Sequence, residues 1–506
     1  MSNFVTVSEA RPTREQLIEL ARRDPEAIAD LVLMLWDRVE ALEAKVAALE
    51  RNSRTSSKPP SSDKGNFTNP PKPKSLREKS GRKPSGQPGH RGDTLRQTPA
   101  PDHVEEHRLA EGVRCAECGA PLSTAPAGVP LDCGSCERRQ VFELPAIRIE
   151  VTEHRAEKTF CQRCGTVATA AFPDGVAAPV QYGPGVRATA LYLGGYQLIP
   201  YARLAESFAE LFGCPLSQGT LANFVRSAGE NARQAMRPVR AALLGATTAH
   251  ADETGCTVQG KRHWLHIFST RSLSCYHLDA KRGAEAMERG GLISRYSGNL
   301  IHDCLGAYET FLDCHHFYCN AHLQRELTYL HEEMHQPWAA DMIDLLLEAK
   351  ALADLERARL PGTRRVIGER TEERIISRDT RIVLTGLAAN PEPPPPPPGT
   401  KGRIKRGKPL NLLRRLDRRP LEIMGFFVNP EVPYDNNQAE RDLRMMKVRE
   451  KISGTFRSGD HGPAFCDIRS IISSVRKQSR GMLDSLVKLI ASPTMLGEEL
   501  ASGQPT

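Results

Sequence analysis

Nowhere in its 506 residues does the chain run about 20 apolar side chains together, the length a bilayer-spanning helix needs, so no membrane segment is expected. The N-terminus, MSNFVTVSEARPTREQL, has no basic stretch followed by an apolar core, and a cytoplasmic protein is the expectation. No GxxxxGK(S/T) loop occurs, which leaves an ATP-driven mechanism without support. Nor do the cysteines form a disulfide framework. Thirteen is odd, and six sit in CxxC pairs, which in a reducing compartment point to metal.

What is present bounds the rest. With 39% hydrophobic residues, the chain is long enough for several domains and at least one sizeable core. The net charge of +8 is modest, but it is concentrated: residues 51–100 hold 12 Lys/Arg against 3 acids, and residues 401–420 hold 9 against 1. One such block is equally well a solvated linker; two in one chain favour a nucleic-acid partner.

Near the start, Ile28, Val32, Leu35, Val39, Leu42, Val46 and Leu49 alternate spacings of four and three, an a/d heptad seam. The polar stretch that follows gives this helix no core of its own, so residues 1–51 are expected to form a coiled coil that makes the protein at least a dimer. Residues 52–101, rich in Ser, Pro, Gly and Lys, read as a flexible basic linker. Three CxxC pairs follow within 102–172: Cys115/Cys118, Cys133/Cys136 and Cys161/Cys164. Between the last two, RRQVFELPAIRIEVTEHRAEKTF is β-like. Residues 180–245 turn helical, with Leu204, Phe208 and Leu211 on one face, a break at Gly213 to Pro215 and a second helix capped by Ser217. A helix-turn-helix is one reading and an ordinary packed pair the other.

Strand signals dominate 247–315, in TTAHADETGCTV, HWLHIFST, LSCYHLD and NLIHDC, and imply a mixed sheet at the heart of an α/β domain. Residues 320–430 are mainly helical, interrupted by PEPPPPPPGTKGRIKRGKP, an exposed polyproline loop. Helix returns through 431–490, before a C-terminal tail at 491–506.

Asp252 and Asp303 fall at the ends of two strand runs, where α/β sheets place active sites. With no Cys or His obviously competing, such a pair suits Mg²⁺ or Mn²⁺, and a third acid completes a two-metal site for phosphoryl displacement. Glu440 is the candidate, since a helix presents it among Arg441, Arg444, Lys447 and Arg449. The ordinary alternatives are a turn cap for Asp252, a helix start for Asp303, and a helical pair with Arg444 for Glu440.

Taken in order, the heptads, SSKPPSSD, GRKPSGQPGHRGD, the CxxC pairs, PVQYGPGV, HADET, the Asp of LIHDC, CNAHLQREL and DNNQAERDLRMMKVREKISGTFRS resemble a transposase of the insertion sequence 66 family. These are bacterial DDE transposases with a ribonuclease-H-like catalytic core. The resemblance implies an α/β fold: a ribonuclease-H-like mixed sheet core (246–319 and 431–490) with a large helical insertion, plus the coiled coil and a small zinc module. It implies Asp252, Asp303 and Glu440 as the triad for two Mg²⁺ or Mn²⁺ ions, acting by cleavage and strand transfer on DNA at the element's ends. It implies Cys115, Cys118, Cys161 and Cys164 as ligands of one Zn²⁺. Cys133 and Cys136 lie outside the family pattern, and a site using them with one flanking pair stays open. Asn436, Asn437, Arg441, Arg444, Lys447 and Arg449 are candidate DNA contacts, while Cys319 and His322 of CNAH are expected to order the start of the insertion. Small companion proteins of the element are possible partners. The alternative function is a catalytically silent, zinc-containing regulator descended from a transposase.

Overall fold

The computed structural model describes residues 14–39 except 27, 31 and 35; 95–122 except 111; 136–359 except 146; 367–394; and 406–503 except 457, 458 and 460. The chain divides into two units, residues 71–150 and the remainder, and each is described by itself.

At the N-terminus, helix α1 (Arg14–Arg23) is followed by helical residues that include Ile28, Val32 and Val39 of the heptad seam, with Val32 and Val39 exposed. The other seam positions, Leu35, Leu42, Val46 and Leu49, lie outside the described residues, as do residues 52–94 of the basic linker and Cys133.

Around the last cysteine pair, β1 (Lys158–Phe160) and β2 (Val167–Thr169) form an antiparallel hairpin. The described residues of 138–157, expected to be β-like, form no strand. Among the described residues no strand pairs with them, and alternation alone does not make a sheet.

Helix α2 (Pro184–Leu191) runs into a wide turn at Tyr192–Tyr196 and then α3 (Tyr201–Phe212). Gly213, at φ 61°, ends α3 in the left-handed conformation a glycine adopts without strain. Helix α4 (Gln218–Leu244) begins where the Ser217 hydroxyl accepts the Thr220 N–H at 3.0 Å. Its buried residues, among them Leu221, Ala228, Ala232, Ala235, Val239 and Leu243, recur at three and four, and so many alanines allow close helix packing. At Gly229 an added Cβ would meet the Cβ of Ala464 at 2.7 Å.

The sheet follows: β3 (Thr248–Val258), β4 (Lys261–Ser269), β5 (Ser274–Asp279), helix α5 (Ala284–Gly290), β6 (Asn299–His302) and β7 (His315–Tyr318). The spatial order is β5-β4-β3-β6-β7, with the first three antiparallel and β6 and β7 parallel to β3. Five helices intervene before the chain returns: α6 (Asn320–Glu332), α7 (Pro337–Arg359), α8 (Glu369–Ala389), α9 (Lys408–Arg418) and α10 (Pro420–Val428). Trp338, Leu345, Leu346, Ile375, Leu413 and Phe427 give them a core of their own. Residues 395–405, most of the polyproline loop, lie outside the described residues.

Helices α11 (Asn437–Ser453), α12 (His461–Lys477), α13 (Met482–Ala491) and α14 (Pro493–Ser502) close the chain. Two expected boundaries shift. Residues 493–502 are a helix rather than a tail, because Leu496 and Leu500 are fully buried in the main core. The region 180–245 does not stand apart either: Ala228 to Leu243 of α4 share that core with Ala249 of β3 and Leu300 of β6.

Candidate active site

Asp252 lies within β3, not at its end, because the hairpin with β4 extends the strand to Val258. The parallel pairing to β6 stops earlier, at Thr248↔Asn299, Ala249↔Leu300 and His250↔Ile301. Two further steps of that register set Asp252 opposite Asp303, the residue that follows β6. The two acids therefore stand at the carboxyl edge, where parallel neighbours part.

Glu440 comes from the first turn of α11, where a carboxylate is favoured by the helix dipole. Asn436 fixes that turn to β3: its amide donates to the Ala251 carbonyl at 2.8 Å, its Oδ1 lies 2.9 Å from His250 Nδ1, and its backbone N–H donates to Cys319 Sγ at 3.1 Å. Alternation puts His250 and Asp252 on the same face of β3, so the residue that anchors α11 brings Glu440 toward Asp252.

The electrostatics agree. Burial pushes the Asp252 carboxyl well above its ordinary range, and the charges of Glu253, Asp303 and Glu440 push it the same way. Asp303 is pushed up to about 7 by burial and then by Glu253, against the pull of Arg282. Among the described residues no basic side chain pairs with Asp252, and Arg282 approaches Asp303 only to 3.9 Å. Two nearly buried carboxylates that disfavour each other's charge are stabilised by a cation between them. With oxygen donors alone, the pair fits a hard divalent ion.

Glu253, the buried neighbour of Asp252, was not anticipated. Arg282 donates to its Oε1 at 2.6 and 2.8 Å, and the Tyr308 hydroxyl to its Oε2 at 2.6 Å. It is thus satisfied inside the protein and steadies the strand beneath Asp252.

A second cluster touches the same helix. One ligand atom from each of Cys319, His322 and Glu440 lies within 4.8 Å of the other two. Glu440 Oε1 is 3.3 Å from Arg325 Nη2 and 3.6 Å from His322 Nδ1. Burial pushes the Cys319 thiol up to about 12 and the His322 imidazole down to about 3, so both are neutral near pH 7.

The expected DNA contacts divide. Arg441 and Arg444 are exposed, and Asn437 is half-buried. Asn436 is withdrawn from the set, being fully buried with its amide engaged by β3. Lys447 Nζ is turned inward, donating to the Gly255 carbonyl at 2.8 Å and to Glu450 at 3.0 Å. Arg449 lies over the Phe456 ring, 3.6 Å from its centroid.

The outer cysteine pairs make near-identical turns. In CAECG and CQRCG the glycine, at φ +72° and +73°, donates its N–H to the first cysteine's carbonyl at 2.9 and 2.8 Å. The first cysteine N–H bonds the carbonyl five residues on, of Ala120 and Thr166, at 2.9 Å each. Backbone hydrogen bonds lower the Cys115 thiol, and Thr166 lowers that of Cys164, favouring thiolate. The two pairs belong to different units of the chain.

The family model "Transposase IS66 family" matches residues 179–463, more than half the chain and all of the sheet. The chain belongs to the IS66 transposase family. Membership implies a DNA-cleaving enzyme that uses divalent metal. Residues 8–96 match a second model, described as a family of unknown function (DUF6444). No curated protein matches the chain. Among the described residues no helix is long and apolar enough to cross a membrane.

Proposed function

We propose that the protein is a DDE transposase of an insertion sequence, cutting DNA at the element's terminal repeats and joining the freed 3′ ends to target DNA. The carrying observation is the register that sets Asp252 opposite Asp303, with Glu440 on the helix Asn436 ties to the same strand. The strand order and directions support a ribonuclease-H-like core. Asp252, Asp303 and Glu440 would hold two Mg²⁺ or Mn²⁺ ions; when bound, such ions activate the attacking oxygen and stabilise the leaving one. The side chains' own work is positional. Glu253, clamped by Arg282 and Tyr308, keeps β3 in register, and Arg325 holds the Glu440 carboxylate at the rim. Exposed Arg441 and Arg444 supply phosphate contacts, from which most of the affinity for DNA comes.

The twin turns of CAECG and CQRCG support Cys115/Cys118 and Cys161/Cys164 as zinc knuckles, each pair offering two thiolate ligands to structural Zn²⁺. Glu137 follows Cys136 where the other pairs have glycine, which disfavours the middle pair. The exposed apolar seam at Val32 and Val39 supports dimerisation through the N-terminal helix, which would bring two element ends together. The test is cleavage of DNA bearing the element's ends by purified protein. Nicking and strand transfer are expected with Mg²⁺ and absent without it. DNA binding with no cleavage under any divalent ion would instead identify a silent regulator.

A further inference from the structure

A cavity of about 520 Å³ lies between the α3–α4 pair and the helices that follow the triad, apart from the carboxylates. Its walls are largely apolar, and among the described residues two guanidinium groups line it, those of Arg449 and Arg469. Arg469 is only 6% exposed, and its Nε and Nη1 have no hydrogen-bond partner. Among the described residues no carboxylate pairs with it; its neighbours are the Tyr276 phenol and the Tyr196 ring, 5.8 Å away. A buried cation without a counterion is costly unless something bound supplies the charge. The same cavity carries aromatic surface from Tyr201, Phe456, His461 and Phe465, with Arg449 over Phe456 and 5.1 Å from the Phe465 ring. A ligand complementary to these walls has a flat, ring-bearing body and an anionic group.

The distance to the triad narrows the choice. Arg449 lies nine residues after Glu440 on α11, which at about 1.5 Å per residue is roughly 14 Å. A stacked strand advances about 3.4 Å per nucleotide, so DNA engaged at the acids passes the cavity about four nucleotides away. We propose that the cavity receives one unstacked nucleotide of the DNA strand, its base against the aromatic walls and its phosphate on Arg449 and Arg469. Enzymes that remove a base from the stack hold it between apolar or aromatic surfaces in this manner. The ligand class rests on the transposase reading, but the binding itself requires neither the triad nor a metal.

The test uses full-length protein with no added divalent metal ion. The probes are deoxyadenosine 5′-monophosphate, followed by calorimetry, and a single-stranded oligonucleotide carrying one 2-aminopurine, followed by its fluorescence. Wild type and Asp252→Asn are expected to bind the mononucleotide equally and to change the 2-aminopurine signal. Arg469→Met is expected to weaken mononucleotide binding at least tenfold. Should that variant fail to fold, Ala202→Trp carries the test, since it fills the cavity from an exposed position and removes no charge. Wild-type-like binding and fluorescence in Arg469→Met, or in Ala202→Trp, would overturn the assignment. So would mononucleotide binding with a silent oligonucleotide, which would make the cavity a site for free nucleotides. Failure here leaves Mg²⁺-dependent cleavage untouched, whereas failure of the transposase reading shows as wild-type protein that cleaves no end DNA under any divalent ion.

Discussion

The carboxylate edge of the sheet and the cysteine knuckles are built on opposite principles. Beneath Asp252 and Asp303 lie fully buried side chains such as Ala249, Ala251 and Leu300, so the site is shaped by packing before any ligand arrives. The packing fixes the acids where they disfavour one another. Around the cysteines, Val141 is 89% exposed and Leu144 82%, and among the described residues the only strands are three residues long. Among the described residues of 95–172 no side chain is buried, and on the zinc reading proposed above the order of the segment comes from the thiolates and what they bind. One region tolerates electrostatic strain because it is well packed; the other, on that zinc reading, takes its order from a bound metal.

The sharpest break in this comparison is metal removal. Stripping Zn²⁺ with a strong chelator is expected to release the knuckles entirely, since structural zinc supplies about 10–16 kcal/mol to small modules. The sheet core should keep its melting temperature. Zinc content, limited proteolysis across residues 95–172 and calorimetry report the two regions separately, and Cys161→Ser should reproduce the chelator's effect.

Next comes Asp252→Asn. DNA affinity should stay as in wild type while cleavage falls by roughly a thousandfold, the equivalent of the several kcal/mol that bound divalent ions contribute. Gel shift and end cleavage on the same preparation decide it.

Asp303→Asn should do opposite things to activity and stability. In the metal-free protein the folded Asp303 pKa, about 7, lies above the ordinary 3.8, so the native state retains a proton that the unfolded chain has lost. Stability therefore falls as pH rises from about 4 to 7, and the deficit persists above that. Removing the charge should raise stability at pH 8 by on the order of 4 kcal/mol and change little at pH 3.5, while abolishing cleavage. Thermal melts at the two pH values test the sign. At the knuckles no acid substitution should stabilise anything.

Smallest of all, Arg444→Ala should weaken DNA binding a few-fold and reduce the salt dependence by about one counterion, as loss of one phosphate contact requires.

Much of the sheet was legible in the sequence, because TTAHADETGCTV, HWLHIFST, LSCYHLD and NLIHDC each carry β-branched or aromatic residues at short spacing. Asp252 read as a strand end because its run gives no sign of where the β6 partner stops, and only the register reveals that. The clamp on Glu253 was invisible, since Arg282 and Tyr308 lie 29 and 55 residues downstream. Asn436 and Lys447 looked like DNA contacts in a polar, basic stretch; their partners, the Ala251 and Gly255 carbonyls, belong to a strand about 190 residues earlier in the chain, a span no local pattern bridges. Leu496 and Leu500 were passed over as a tail because a ten-residue helix shows too few turns to declare a face.

Direct localisation of Mn²⁺ by anomalous diffraction from crystals of the protein with bound end DNA tests the central claim. Two ions are expected, sharing Asp252 and completed by Asp303 and Glu440. A single ion held by Cys319, His322 and Glu440, with none at Asp252 and Asp303, would contradict it.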